Sequence, residues 1–323
     1  MLEKYHQLIQ EAIDHLSWQQ EPVNLYEPIA YILSQGGKRI RPHLALISAE
    51  MFGAKAEEAL MPAIAFEMLH NFTLIHDDIM DKADLRRGKP TVYKKWNTNI
   101  AILSGDALFA KAFEQMMKYQ GGNKDQLLQL LTTTTIEICE GQQFDIDFET
   151  MKNVSIDNYL NMIRLKTAVM LAACLKAGAL VAGVNEKYQD LIYQYGLQIG
   201  LAFQIQDDWL DVYADVSQFG KNVGGDIAEN KKTYMSLRAF EKVEGADRQL
   251  LEKYFSSVNF DKQAKYQAVK AIYDKYQVGA DALALVENTF FRQAMQLLSQ
   301  IDIPQDKKQP LIEWTNKLIG RNY

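Results

Sequence analysis

Prolines stand at positions 22, 28, 42, 62, 90, 304 and 310, and none falls between 91 and 303. Proline disrupts helix interiors at a cost of about 3 kcal/mol, so a long proline-free span leaves helix available throughout. Within that span apolar residues recur at helical spacing, as in Leu191, Tyr195, Ile199, Ala202, Ile205 and Trp209. Alternating strand patterns bounded by turn signals are missing. The expectation is an all-α chain of ten or more helices. No composition shift marks a boundary, so residues 1–323 read as a single domain. The spacing predicts helices over 2–18, 57–81, 162–177 and 187–212.

Two of these helices end in acid. Asp77-Asp78-Ile79-Met80-Asp81 closes the second, with Asp84 and Arg86-Arg87-Gly88 after it. Asp207-Asp208-Trp209-Leu210-Asp211 repeats the spacing at the end of the fourth. With 22 Asp in the chain, one such pattern is expected by chance only ~0.1 times, so the pair asks for a reason. On a helix Asp77 and Asp81 share a face and repel by a few tenths of a kcal/mol. A hard divalent cation converts that cost into a site. Mg²⁺ takes one or two carboxylates and completes its shell with phosphate oxygens and water.

Cations follow the same logic. Gln35-Gly36-Gly37-Lys38-Arg39-Ile40-Arg41-Pro42 places three basic residues behind a glycine turn, at a helix start that Pro42 supports. Arg86 and Arg87 can each clamp a phosphate bidentately; the plainer alternative pairs them with Asp81 and Asp84. His70 lies two turns before the first acidic cluster, and His76 faces elsewhere. The polar run 140–145 reads as an interruption facing the same cavity. Lys166 sits on an apolar helix and needs an anion. Gly196 and Gly200 extend the Asp207/Asp211 face and leave room against the backbone. The glycine-rich loop 219–226 with Lys221, and Lys231 after it, suits a lid over phosphate.

Bulk properties exclude other classes. A net charge of −6 argues against a nucleic-acid surface, but not against an anionic substrate held through metal. Cys139 and Cys174 make no disulfide framework, and residues 1–6 carry no basic-then-apolar signal, so a cytoplasmic location is expected. The apolar stretch 167–184 is broken by Lys176 and reads as a core helix rather than a membrane span.

In order along the chain, the 37–42 motif, His70, both aspartate motifs, Arg86-Arg87-Gly88, Lys166-Thr167, Phe203-Gln204, Gly220-Lys221 and Lys231 resemble the trans-isoprenyl diphosphate synthases, the family of farnesyl and geranylgeranyl diphosphate synthases. The resemblance covers nearly the whole chain. It implies one helical bundle around a deep central cavity, assembled as a homodimer. It implies an allylic diphosphate held by three Mg²⁺ ions between the aspartate clusters, with Asp77, Asp81 and Asp207 as direct ligands and Asp78 and Asp211 behind water. Arg86, Lys166, Lys221 and Lys231 then contact that diphosphate, and Thr167 and Gln204 border the allylic cation. Isopentenyl diphosphate, without metal, falls to Lys38, Arg41, His70 and Arg87. The growing tail runs past Thr73, Phe72 and Leu69. Phe72, about 7.5 Å back from Asp77 along the helix, acts as a floor and sets products at C15–C20, with C20 favoured.

Overall fold

The computed structural model describes residues 2–214, 223–256 and 259–319. Its elements are α1 (Leu2–Asp14), α2 (Val23–Ser34), α3 (Ile40–Met51), a 3₁₀ turn (Ala56–Ala59), α4 (Leu60–Met80), β1 (Leu85–Arg86), β2 (Lys89–Pro90), α5 (Val92–Lys95), α6 (Thr98–Met117), α7 (Lys124–Thr150), α8 (Ile156–Ile163), a π turn (Arg164–Ala168), α9 (Val169–Val181) and α10 (Glu186–Tyr213). After them come α11 (Gly225–Ala228), α12 (Tyr234–Lys242), α13 (Gly245–Phe255), α14 (Lys262–Lys275), α15 (Val278–Leu285), a second π turn (Val286–Phe291), α16 (Arg292–Ser299) and α17 (Gln305–Ile319). The all-α expectation holds. Among the described residues the one sheet is the β1–β2 hairpin, and no helix is long and apolar enough to cross a membrane.

Three details differ from the sequence reading. The 57–81 helix opens as a 3₁₀ turn before α4 begins. The apolar helix over 162–177 is interrupted by the π turn at Arg164–Ala168. The polar run 140–145 does not interrupt anything, because α7 continues through it.

The chain divides into two compact units, the first made of 1–135, 173–193 and 303–311, the second of 136–172, 194–302 and 312–323. In the first, α3 and α4 are apolar on most sides and bury Leu44, Ile47, Ile64, Phe66 and Leu69. Gly178 lets residues of α9 lie against α3, since a Cβ there would meet the Ser48 Cβ at 2.7 Å. Ser48 donates its hydroxyl to the Leu175 carbonyl at 2.6 Å. In the second unit Gly200 does the same work. The space its missing side chain leaves is filled by Ala168 of the π turn, so it is a packing contact and not open room. Tyr195 is fully buried there.

Candidate active site

In the first unit the acidic cluster sits at the C-terminus of α4. That is the negative end of the helix dipole, where carboxylates are disfavoured by about 0.3–1 kcal/mol each and cations are favoured. Asp77 is half-buried and Asp81, the C-cap residue, is exposed. Asp78 turns inward, 1% exposed. Its Oδ1 accepts from Arg86 Nη2 at 2.7 Å and from Nε at 2.9 Å. Burial pushes the Asp78 carboxyl up, and the Arg86 contact opposes that. Lys94 takes Asp84 at 2.8 Å. The surface pairing of Arg86 and Arg87 with Asp81 and Asp84 therefore gives way to a buried Arg86–Asp78 pair.

The tight hairpin after α4 decides where Arg87 goes. Arg86 pairs with Lys89, and Arg87 and Gly88 form the turn at φ 54° and 74°. Positive φ at both central residues is the geometry that matches the strand twist. The Arg87 guanidinium then donates to the Gly36 carbonyl. It lies where a side chain on Gly37 would be, 2.8 Å from the position of a Cβ. Lys38 is exposed beside it. Arg39, the middle cation of the motif, leaves the surface. Its left-handed backbone, φ 46°, turns the side chain into the core, where it donates to Glu67 at 2.6 Å and to the Leu33 carbonyl at 2.6 Å. Asn71 donates to Glu67 at 3.2 Å.

His70 is half-buried among this group. Burial first, then Arg41, Arg87, Arg86 and Arg39, holds its pKa well below the ordinary 6.5, so the ring is neutral at pH 7. Burial also lowers Arg41, with Glu67 pulling the other way. Arg41, Arg87 and the neutral imidazole, next to the buried Arg39–Glu67 pair, make a group that suits an anion.

Farther up α4, Thr73 donates to the His70 carbonyl at 2.8 Å and is half-buried. Phe72 is half-buried too. Its ring lies 4.8 Å from His76 and 5.3 Å from Phe109, which meets Phe113 edge-on at 5.0 Å. Leu69 has no exposed surface. It packs in the core of the first unit. Phe109 and Phe113 on α6 were missed, because sequence spacing on α4 says nothing of what α6 brings against it.

In the second unit the π turn presents Lys166 and Thr167. Gly141 of α7 lies directly under the Lys166 backbone, where any side chain would collide. The anion that Lys166 needs is Asp145, at 2.6 Å. Thr167 donates to Gln204 Oε1 at 3.2 Å, and Gln204 Nε2 donates to Asp208 at 3.2 Å. Asp208 is 4% exposed. It also accepts from the Tyr159 hydroxyl and, at 3.1 Å, from the Tyr234 N–H. Burial raises its pKa well above the ordinary carboxylate range. The middle carboxylate of this motif is thus a structural hub.

Asp207 and Asp211 lie on the more accessible face of α10, both half-buried. Asp211 Oδ2 accepts the Asp226 N–H at 3.1 Å. Asp226 is pushed up to about 7 by burial, Asp211, Glu229 and Asp207, against the pull of Lys231. Lys231 Nζ sits 3.8 Å from Asp226 and 3.4 Å from Glu229. Asp226 was not singled out from the sequence, although it lies inside the glycine-rich loop. Gly220 and Lys221 lie outside the described residues.

Two observations bear on a metal. Asp78 Oδ2 is buried and has no hydrogen-bond partner, as an acceptor for a metal-bound water would be. Asp226 is raised by burial first and then by the negative charge of Asp211, Glu229 and Asp207, charge that a cation would offset. The donors are all hard oxygens, which suits Mg²⁺. Among the described residues no three ligating groups converge.

The chain is similar to known proteins. The polyprenyl synthetase family model matches residues 22–274. A geranylgeranyl diphosphate synthase of Methanosarcina mazei is 44% identical over 236 residues, which is 72% of this chain and 73% of its own length. A geranylfarnesyl diphosphate synthase of Natronomonas pharaonis is 39% identical over 251 residues, 72% of this chain and 74% of its own length. A crystal structure of a geranylgeranyl pyrophosphate synthase matches with a TM-score of 0.94 at 43% identity, over 100% of this chain and 99% of that one.

Proposed function

The chain belongs to the polyprenyl synthetase family, and from that premise we propose that it condenses isopentenyl diphosphate with dimethylallyl, geranyl or farnesyl diphosphate. Its main product is then all-trans geranylgeranyl diphosphate. One observation carries the reading. The first unit holds two different anion chemistries, a carboxylate cluster suited to metal and a metal-free arginine group around neutral His70. Two diphosphates, one bound through metal and one through cations, are what a condensation needs. A cyclase of a single allylic diphosphate has no use for the second.

We assign Asp77, Asp81 and Asp207 to Mg²⁺, with Asp78, Asp211 and Asp226 behind them. Bound Mg²⁺ would neutralise charge on the departing diphosphate. Lys166, Lys231 and Lys221 stabilise the same charge directly, and Asp145 holds Lys166 ready at 2.6 Å. The Thr167 and Gln204 oxygens, held in place by the relay to Asp208, border the allylic cation with their dipoles. Lys38, Arg41 and Arg87 fix the acceptor diphosphate, and neutral His70 adds an N–H donor. The acceptor double bond attacks C1, and the released diphosphate takes the proton. No side-chain base is required. Arg86 contributes through Asp78, with its remaining nitrogen left for the diphosphate.

Phe72 sets the floor, backed by Phe109. We further assign a homodimer, as the family resemblance implies. Residues 1–323 act as one catalytic domain in the cytoplasm. Initial rates test the assignment of the two diphosphates. Lys38→Ala and Arg41→Ala raise KM for isopentenyl diphosphate alone, Asp77→Asn lowers kcat, and EDTA stops turnover. Equal effects of Arg41→Ala on both KM values would refute separate sites.

A further inference from the structure

Lys265 of α14 is 1% exposed, which is rare for a lysine without a carboxylate partner. Burial alone lowers its pKa, and among the described residues no carboxylate is paired with it. A methionine or leucine would fill the same space without desolvating a charge. The ammonium head must therefore be in use, and its three N–H donors are all accounted for. One reaches the Ala228 carbonyl at 3.3 Å, one the Asn230 side-chain oxygen, and the third faces the Phe255 ring, whose centroid lies 5.4 Å away.

Both oxygen acceptors belong to one short turn. A four-residue helix such as α11 has no stability of its own, so its position is set by what pins it. At its start Asp211 accepts the Gly224 N–H through its carbonyl at 2.6 Å, and the Asp226 N–H through its carboxylate at 3.1 Å. At its end the Asn230 backbone turns left-handed, φ 60°. The Lys231 N–H closes back on the Asp226 carbonyl at 3.0 Å, and Ser236 holds the Lys231 carbonyl at 3.0 Å. Lys265 is the pin at that reversal.

We propose that Lys265 is a positioning residue that fastens the 224–231 turn and so sets Asp226 and Lys231 in register with Asp211. Their catalytic use rests on the synthase reading above; the pinning does not. The test compares wild type with Lys265→Met, Asn230→Gly and the double variant. Asn230→Gly removes the acceptor and suits a positive φ. Two readouts are taken: steady-state kinetics with each diphosphate varied, and amide hydrogen exchange across residues 223–233 without substrate.

Lys265→Met is expected to lower kcat about tenfold and raise KM for the allylic diphosphate, with KM for isopentenyl diphosphate unchanged. Exchange across the turn quickens. Asn230→Gly shifts both readouts the same way, and the double variant is no worse than Lys265→Met. Wild-type kinetics and wild-type exchange in Lys265→Met, with only a lower melting point, would overturn the proposal. So would additive losses in the double variant. If Lys265→Met does not fold, Asn230→Gly decides alone, and unchanged kinetics and exchange there overturn it. A wild type that elongates nothing sinks the synthase reading, while the exchange data still decide the pinning.

Discussion

Arg39→Met should be the most destabilising single change near the acceptor site. Arg39 and Glu67 are 1% and 3% exposed in their side chains and meet at 2.6 Å. Removing one partner of such a pair leaves a buried charge uncompensated, at about 3–5 kcal/mol. Two contacts reduce the damage: Asn71 still donates to Glu67 at 3.2 Å, and both Arg41 and Arg87 feel its charge. One contact adds to it, since the Leu33 carbonyl loses its donor, worth about 1 kcal/mol. The net loss comes to about 3–4 kcal/mol, or a fall in melting temperature of roughly 4–6 °C for a chain of this size. Thermal and urea unfolding followed by circular dichroism measure it. A loss below about 1 kcal/mol would refute the reasoning, because Glu67 would then have to be neutral or hydrated in the folded state. The apolar double variant Arg39→Met/Glu67→Leu should recover most of the stability.

Phe72→Ala should lengthen the product beyond C20 on chromatography of the dephosphorylated prenols; an unchanged spectrum would remove Phe72 as the floor. Asp77→Asn and Asp207→Asn should each lower kcat about a hundredfold or more with KM for isopentenyl diphosphate nearly unchanged, and a wild-type kcat in either variant would remove that residue from the metal set. His70 has a depressed pKa in the folded protein. The unfolded chain therefore binds a proton below the ordinary value of 6.5 that the folded one refuses. Stability from this group is present above that pH and is lost as pH falls. His70→Asn should flatten the decline in melting temperature between about pH 7 and pH 5; an equal slope in both proteins would contradict the burial argument.

Helical phase made part of the site legible in advance. Asp207 and Asp211 share a face, and Asp208, a third of a turn away, must point elsewhere. What the sequence could not supply was the receiver. Tyr159 stands 49 positions from Asp208, and only tertiary packing joins them. Arg39 is the clearest misreading. In the 37–42 motif it looks like one more solvated cation, yet a single left-handed residue reverses it onto Glu67, 28 positions on. Asp145 fell in a stretch taken for an interruption, because Gly141 suggests a break until the π turn is seen lying on it. Lys265 gave no signal at all, since a lysine in an amphipathic helix ordinarily reads as surface.

The most direct test of the account is the end product made from dimethylallyl diphosphate with excess labelled isopentenyl diphosphate and Mg²⁺. A metal-dependent C20 chain, passing through C10 and C15, is the predicted result. A stop at C15 with farnesyl diphosphate refused, or a run to C25, would contradict the floor at Phe72. No elongation from any allylic starter by folded protein would contradict the synthase reading itself.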